Sequence, residues 1–178
     1  LFTTLPAANL LVMNTQNSGS GSLRDAIAAA DPVDTIHFDP ALHHQTITLS
    51  GAIYIDHRVR IVGPGADKLA VSGNNVGQVF YLGSNGNAFI SGLTICEGNS
   101  GSSWSNAGGI FNYNGMLTLE DCVLSGNVSL GLTGTGRGAL LNTGDLVVRR
   151  CAFNKNRAPG SGGAIYNSAY GRTVSISD

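Results

Sequence analysis

Apolar and polar positions along this chain follow two different periods. In Ser22-Leu-Arg-Asp-Ala-Ile-Ala-Ala-Ala-Asp31-Pro32, Leu23, Ile27 and Ala30 recur at helical spacing on one face. Ser22 is placed to cap the free amides of a first turn, with Asp25 three residues on as in a capping box, the shorter Asp replacing Glu. A carboxylate there also suits the positive end of the helix dipole. Pro32 disfavours helical backbone at Asp31 and ends the run. The pattern predicts one short helix, Leu23–Ala30, preceded by a strand at Leu10–Met13 and joined to it through Asn17–Gly21.

After Pro32 the period becomes two. Short runs such as Thr35–Phe38, Leu69–Ser72, Ile110–Asn112, Leu117–Leu119, Leu146–Val148 and Thr173–Ile176 alternate apolar with polar residues and are separated by turns. Several of them repeat. Leu117–Asn127 aligns with Leu146–Asn156 at an offset of 29 residues, and the shorter Val174–Asp178 follows them. The offset puts Cys122 on Cys151, Leu124 on Phe153 and Asn127 on Asn156. A second element, Gly108–Asn112, recurs as Gly138–Asn142 and Gly162–Asn167. Self-similarity at this period is the mark of a solenoid, because one repeat cannot bury its apolar face alone. Three short strands per repeat predict a parallel β-helix of about five coils. Its coils would stack at ~4.8 Å, with like residues above one another.

Composition sharpens this reading. The chain holds 25 Gly, 16 Asn and 17 Ser among 178 residues, a density of turn formers that would break helical repeats. Only 12% of residues are charged and the net charge is −1, which excludes a disordered charged tail and the concentrated basic face of a nucleic-acid binder. No apolar run reaches the length of a membrane-spanning helix. Three cysteines, with no paired Cys/His spacing, are no disulfide framework and no zinc site. The weakly charged, Asn/Gly-rich composition suits an extracellular protein. Leu1–Val12 has no signal-peptide pattern, so a secreted protein would have lost its leader already.

The run Asn14–Ile27, with Asp34-Thr-Ile-His-Phe-Asp39, Ile61-Val-Gly-Pro-Gly65 and Ile90-Ser-Gly-Leu-Thr-Ile95, resembles bacterial secreted right-handed parallel β-helix proteins. Their N-terminal signature is Gly-Ser-Leu-Arg-(Asp/Glu/Gln)-Ala-Ile, with a Cys-Ser-Leu-Arg-Glu-Ala variant in which Gly21 takes the Cys position. Gly162-Gly-Ala-Ile165 and Phe153-Asn-Lys-Asn156 are similar to the repeats of chlamydial polymorphic outer-membrane proteins, which are adhesins. The resemblance implies a right-handed β-helix. Adhesins, passenger domains, pectate lyases and glycosidases share that fold, so it does not by itself decide function.

Candidate chemistry is sparse. Glu120 and Asp121 are the one adjacent pair of acids, and as strand neighbours they should point to opposite faces. In the 29-residue register Arg149 and Arg150 stack over them, which predicts interstrand ion pairs. His43 and His44, near Asp39, are candidates for binding or acid–base work, although adjacent histidines on a loop are more often surface residues. His57, Arg58 and Arg60 form a small basic patch. Trp104, in the polar loop 99–106, and Tyr113 just beyond it offer sugar-stacking rings. Thr46-Ile-Thr48 has an ice-binding form but does not recur, since the equivalent places carry Thr94 alone and Thr118 alone. Cys122 over Cys151 predicts a buried thiol ladder. Asn112, Asn142 and Asn167 predict a ladder of stacked amides at one corner, where Asn also tolerates left-handed backbone.

These readings combine into one β-helix domain, 1–178. A strand and capping helix occupy 1–34 and solenoid coils occupy 35–178. The last strand stops just short of the Cys122/Cys151 position, so a fragment of a longer chain is expected, or a partner at that end. End-to-end self-association through the bare last coil is the corresponding expectation. The expected function is a non-enzymatic, adhesin-like module, secreted or on the cell surface, whose loops bind glycans or surface proteins. The alternative is a carbohydrate-active β-helix of lyase or glycosidase type, or a carbohydrate-binding one. No catalytic residue, cofactor, nucleic-acid contact or membrane insertion is implied, and calcium is the one ion the fold leaves open.

Overall fold

The computed structural model describes residues 7–101, 107–130, 137–160 and 162–178. Strand β1 (Asn9–Val12) precedes helix α1 (Leu23–Ala29). Five coils of three strands follow. They are β2 (Thr35–Phe38), β3 (Gln45–Thr48) and β4 (Ile53–Ile55); β5 (Arg58–Val62), β6 (Leu69–Ser72) and β7 (Phe80–Leu82); β8 (Asn87–Ser91), β9 (Thr94–Cys96) and β10 (Ile110–Asn112); β11 (Met116–Glu120), β12 (Val123–Ser125) and β13 (Leu140–Asn142); and β14 (Asp145–Arg149), β15 (Ala152–Asn154) and β16 (Ile165–Asn167). Strand β17 (Val174–Ser177) opens the next turn.

Every pairing is parallel and joins one coil to the next. The first sheet runs β1-β2-β5-β8-β11-β14-β17, the second β3-β6-β9-β12-β15, and the third β4-β7-β10-β13-β16. The chain is therefore an all-β parallel solenoid of five coils, as the repeat predicts.

Because side chains alternate along each strand, every sheet sends one set of residues inward. Register then stacks them into columns. Ile36, Ile61, Ile90, Leu119 and Val148 stack in the first sheet. Ile47, Val71, Ile95, Leu124 and Phe153 stack in the second, and Ile53, Phe80, Ile110, Leu140 and Ile165 in the third. Most of these are fully buried and join in one core. The last coil, with Phe153 and Ile165, is only half-buried.

The corners are columns too. Gly92, Asp121 and Arg150 each follow a first-sheet strand and each has left-handed backbone, with φ of 60°, 51° and 49°. The corner after the second sheet repeats this at Glu97, Gly126 and Lys155. Asn112, Asn142 and Asn167 are instead extended strand residues, so left-handed tolerance is not why asparagine stands there. At Gly63 the constraint is space. A Cβ at this position would lie 2.2 Å from the Gly92 carbonyl oxygen and 2.6 Å from the Leu93 side chain.

Helix α1 plugs the first coil. It ends one residue earlier than its apolar pattern, with Ala30 as C-cap. Ser22 Oγ accepts the Asp25 amide as N-cap, and Leu23 and Ile27 bury in the solenoid core. Arg24 ties the helix down. Its guanidinium donates to the carbonyls of Gly51 and Ala52 at 2.8 Å each, and to the carbonyl and side-chain oxygens of Asn17. Asn17 Oδ1 also accepts the Ser50 amide. The fork geometry of arginine makes this four-point clamp possible, which lysine could not reproduce.

Candidate functional site

The inward column of the third sheet has an outward counterpart. In the strand triplets Ile53-Tyr54-Ile55, Phe80-Tyr81-Leu82, Ile110-Phe111-Asn112, Leu140-Leu141-Asn142 and Ile165-Tyr166-Asn167, the middle residue faces away from the core. Register aligns Tyr54, Tyr81, Phe111, Leu141 and Tyr166 into one stripe running along the solenoid. The rings pack on one another: Tyr54 to Tyr81 at 5.2 Å between centroids, and Tyr81 to Phe111 at 5.3 Å, edge to face. Tyr113, one residue past β10, stacks beside Tyr81 at 6.4 Å and meets Phe111 edge-on at 5.8 Å. At the far end the Arg137 guanidinium carbon lies 3.7 Å from the centre of the Tyr166 ring.

The stripe is only partly exposed. Phe111 and Leu141 are buried with Ala107 in a small cluster of their own, whereas Tyr54 is 70% and Tyr113 46% exposed. Between these tyrosines is an open cavity of about 330 Å³, lined by Tyr54, Ile55, Asp56, Tyr81, Gly83, Ser84 and Tyr113. Its one charged group, the Asp56 carboxylate, lies over Gly83, where a Cβ would come within 2.4 Å of Oδ1. The Asn85 amide N–H donates to Oδ1 at 3.2 Å, and Asn85 Nδ2 lies 3.4 Å from Oδ2. Burial raises the Tyr81 phenol above its ordinary value, with Tyr113, Tyr54 and Asp56 adding to the shift. Tyr81 therefore remains a protonated hydrogen-bond donor. A rigid row of rings with a fixed carboxylate suits binding by stacking and hydrogen bonding.

Of the residues singled out in the sequence, Tyr113 belongs to this face. Trp104 lies outside the described residues. His43 and His44 do not join it: His43 caps a 3₁₀ turn at Pro40–Leu42, and His44 has left-handed backbone leading into the second sheet. Asp39 is occupied in accepting the Ala41 amide. Among the described residues, no three His, Cys, Asp or Glu side chains converge as metal ligands. Arg60 stacks on Phe89, with its guanidinium carbon 3.9 Å from the ring centre. Thr118 is not equivalent to Thr46 or Thr48, since it lies in the first sheet and they lie in the second.

The acidic pair differs from its strand pattern. Left-handed backbone at Asp121 breaks the alternation, so Glu120 and Asp121 turn to the same partner. Among the described residues, that partner is Arg150. It donates from Nε to Asp121 Oδ1 at 2.7 Å, and its Nη2 serves Asp121 Oδ2 and Glu120. Arg149 is opposite Glu120 in register, but no ion pair links them. The Arg150 hydrogen bonds hold the Asp121 carboxyl below its usual range, the opposite of what a general acid needs.

Cys122 is inward-facing and buried, directly below the half-buried Cys151, and both are free thiols. Cys151 Sγ accepts the Cys122 amide at 3.4 Å, while the Cys122 thiol points to the Glu120 and Ile90 carbonyls at 3.3 and 3.5 Å. Contact with the Cys122 side chain lowers Cys151 to about 7, the hydrogen bond from the Cys122 amide adding to the fall and burial opposing it. Its counterpart, Cys122, is pushed far up by that same contact and by burial. Burial and the neighbouring Glu97 push Cys96 up to about 11. The thiolate is the reacting form. Near neutral pH, iodoacetamide is therefore expected to alkylate Cys151 first, and timed peptide mass mapping checks it. Labelling of Cys96 before Cys151 would contradict the hydrogen-bond geometry.

The sequence reading missed Tyr54, Tyr81 and Asp56. The available signal was a bulky residue, aromatic in four cases of five, at the centre of each third-sheet triplet. Compared with protein-family models, curated proteins and solved structures, the chain matches no family, no curated protein and no solved structure.

Proposed function

We propose that this chain is a non-enzymatic recognition module, adhesin-like and extracellular or at the cell surface, that binds glycans on the outer face of its third sheet. The observation that carries the reading is the ring row Tyr54–Tyr81–Phe111 with Tyr113 beside it, on strands locked coil to coil. Sugar rings present apolar faces that stack on aromatics and hydroxyls that meet carboxylates and phenols. A stripe running along the solenoid fits an extended polymer laid across the coils. The acidic pair, tied to Arg150, supports binding rather than hydrolysis.

The test is a glycan array that includes neutral and amino-sugar polysaccharides beside pectin, alginate and glycosaminoglycans. Reducing ends and unsaturated products are assayed in the same wells, with and without calcium. Binding without cleavage is expected. Tyr81→Ala is expected to weaken it about tenfold, equivalent to ~1.4 kcal/mol. Cleavage of any polymer overturns the non-enzymatic reading, and unchanged binding by Tyr81→Ala overturns the choice of face.

A further inference from the structure

The cavity at the Tyr54 end of the stripe combines aromatic walls with a carboxylate. Among the described residues, no Lys, Arg or His forms an ion pair with Asp56. Asn85 donates to it from its amide and side chain, and the missing Cβ of Gly83 leaves the room it occupies. Three phenol rings, those of Tyr54, Tyr81 and Tyr113, line the same space. Ring faces carry negative potential and attract cations, more strongly where water is partly excluded. The stripe already seats one cation, since the Arg137 guanidinium lies over Tyr166 at its other end. Asp56 would repel a uronate or a sulfate and attract an ammonium. Stacking surface and cation attraction together select a ring that carries a protonated amine.

We infer that the cavity lined by Tyr54, Asp56, Tyr81 and Tyr113 binds a glycan bearing free amino groups, with Asp56 pairing the ammonium while a tyrosine stacks the sugar ring. The inference rests on the glycan-binding reading of this face and names its substrate class. Asp56 is the residue that sets specificity, and the tyrosines supply binding common to charged and neutral sugars.

Two probes with the same backbone separate these contributions: a fully deacetylated chitosan hexamer and the matching N-acetylated hexamer. Titration calorimetry is run on the wild-type chain, Asp56→Asn and Tyr81→Ala, with thermal midpoints confirming that each is folded. Wild type is expected to bind the deacetylated hexamer at least tenfold more tightly, with the preference shrinking as salt is added. Asp56→Asn is expected to bind both equally, and Tyr81→Ala to bind both weakly. Equal binding of the two hexamers by wild type would overturn the amine assignment and leave the aromatic platform standing. Wild type binding neither hexamer would overturn the amine assignment. If it also bound nothing on the wider array, the platform would fall with it. A trimethyl-lysine peptide that displaced the bound hexamer at lower concentration would overturn the assignment to a glycan in favour of a protein ligand.

Discussion

Phe80→Ala is expected to destabilise the chain by about 3–5 kcal/mol, the range for truncating a fully buried aromatic. Phe80 has no exposed surface and fills the inward column between Ile53 and Ile110. Neighbouring residues cannot close the resulting void, because parallel backbone ladders fix the coil spacing on both sides. In a solenoid each coil contacts only the next, so a hole in the second coil also weakens its interfaces with the first and third. For a chain of this length the loss corresponds to a fall of roughly 6–20 °C in thermal midpoint. Tyr54→Ala, one residue from the aligned Ile53 but on the outer face, is the control. It should shift stability by no more than about 0.5 kcal/mol. Melting followed by far-UV circular dichroism distinguishes the two, and similar losses would mean that the inward and outward faces are misassigned.

Asn142→Leu is expected to cost about 1–3 kcal/mol despite the close match in size, because it strands buried polar partners. Asn142 has no exposed surface. Its Nδ2 donates to Asn167 Oδ1 and to the Gly144 carbonyl at 2.8 Å each, and its Oδ1 accepts from Asn112 Nδ2 at 2.6 Å. The same column holds Ile55 and Leu82 in the first two coils and switches to asparagine at the third. At that switch Asn112 Oδ1 is buried and, among the described residues, has no hydrogen-bond partner. The amide ladder thus begins with one unmatched acceptor. Changing Asn112 and Asn142 to Leu together removes that acceptor along with the pair, so the double variant should cost less than the sum of the single changes, by about 0.5–3 kcal/mol. Strict additivity in denaturant melts would show that the two amides act independently.

Much of this architecture is readable in the residues alone. Period-two runs place the strands within a residue or so, since one side of each must enter a core. The repeat places Cys122 beneath Cys151, and Asn112 beneath Asn142 and Asn167, because in these later coils the Cys-centred strand and the glycine-led Asn motif recur in recognisable sequence, at offsets of 29, 30 and 25 residues. Ser22, Leu23 and Ile27 mark the helix because capping and apolar spacing are local properties.

The aromatic face was not readable in the same way. Tyr54, Tyr81 and Phe111 come from coils of unequal length, and the earlier coils share too little sequence for an offset to align them. Only the hydrogen-bonded register brings these rings to about 5 Å. Arg150 meeting both acids depended likewise on left-handed backbone at Asp121. The Arg24 clamp depended on where the turn at Gly51–Ala52 falls against the helix. Local pattern therefore determined what each segment is: helix, strand, turn, and which side of it is buried. Tertiary structure decided which outward side chains meet, because outward residues have no core to enforce their spacing in sequence and become neighbours only when the coils stack.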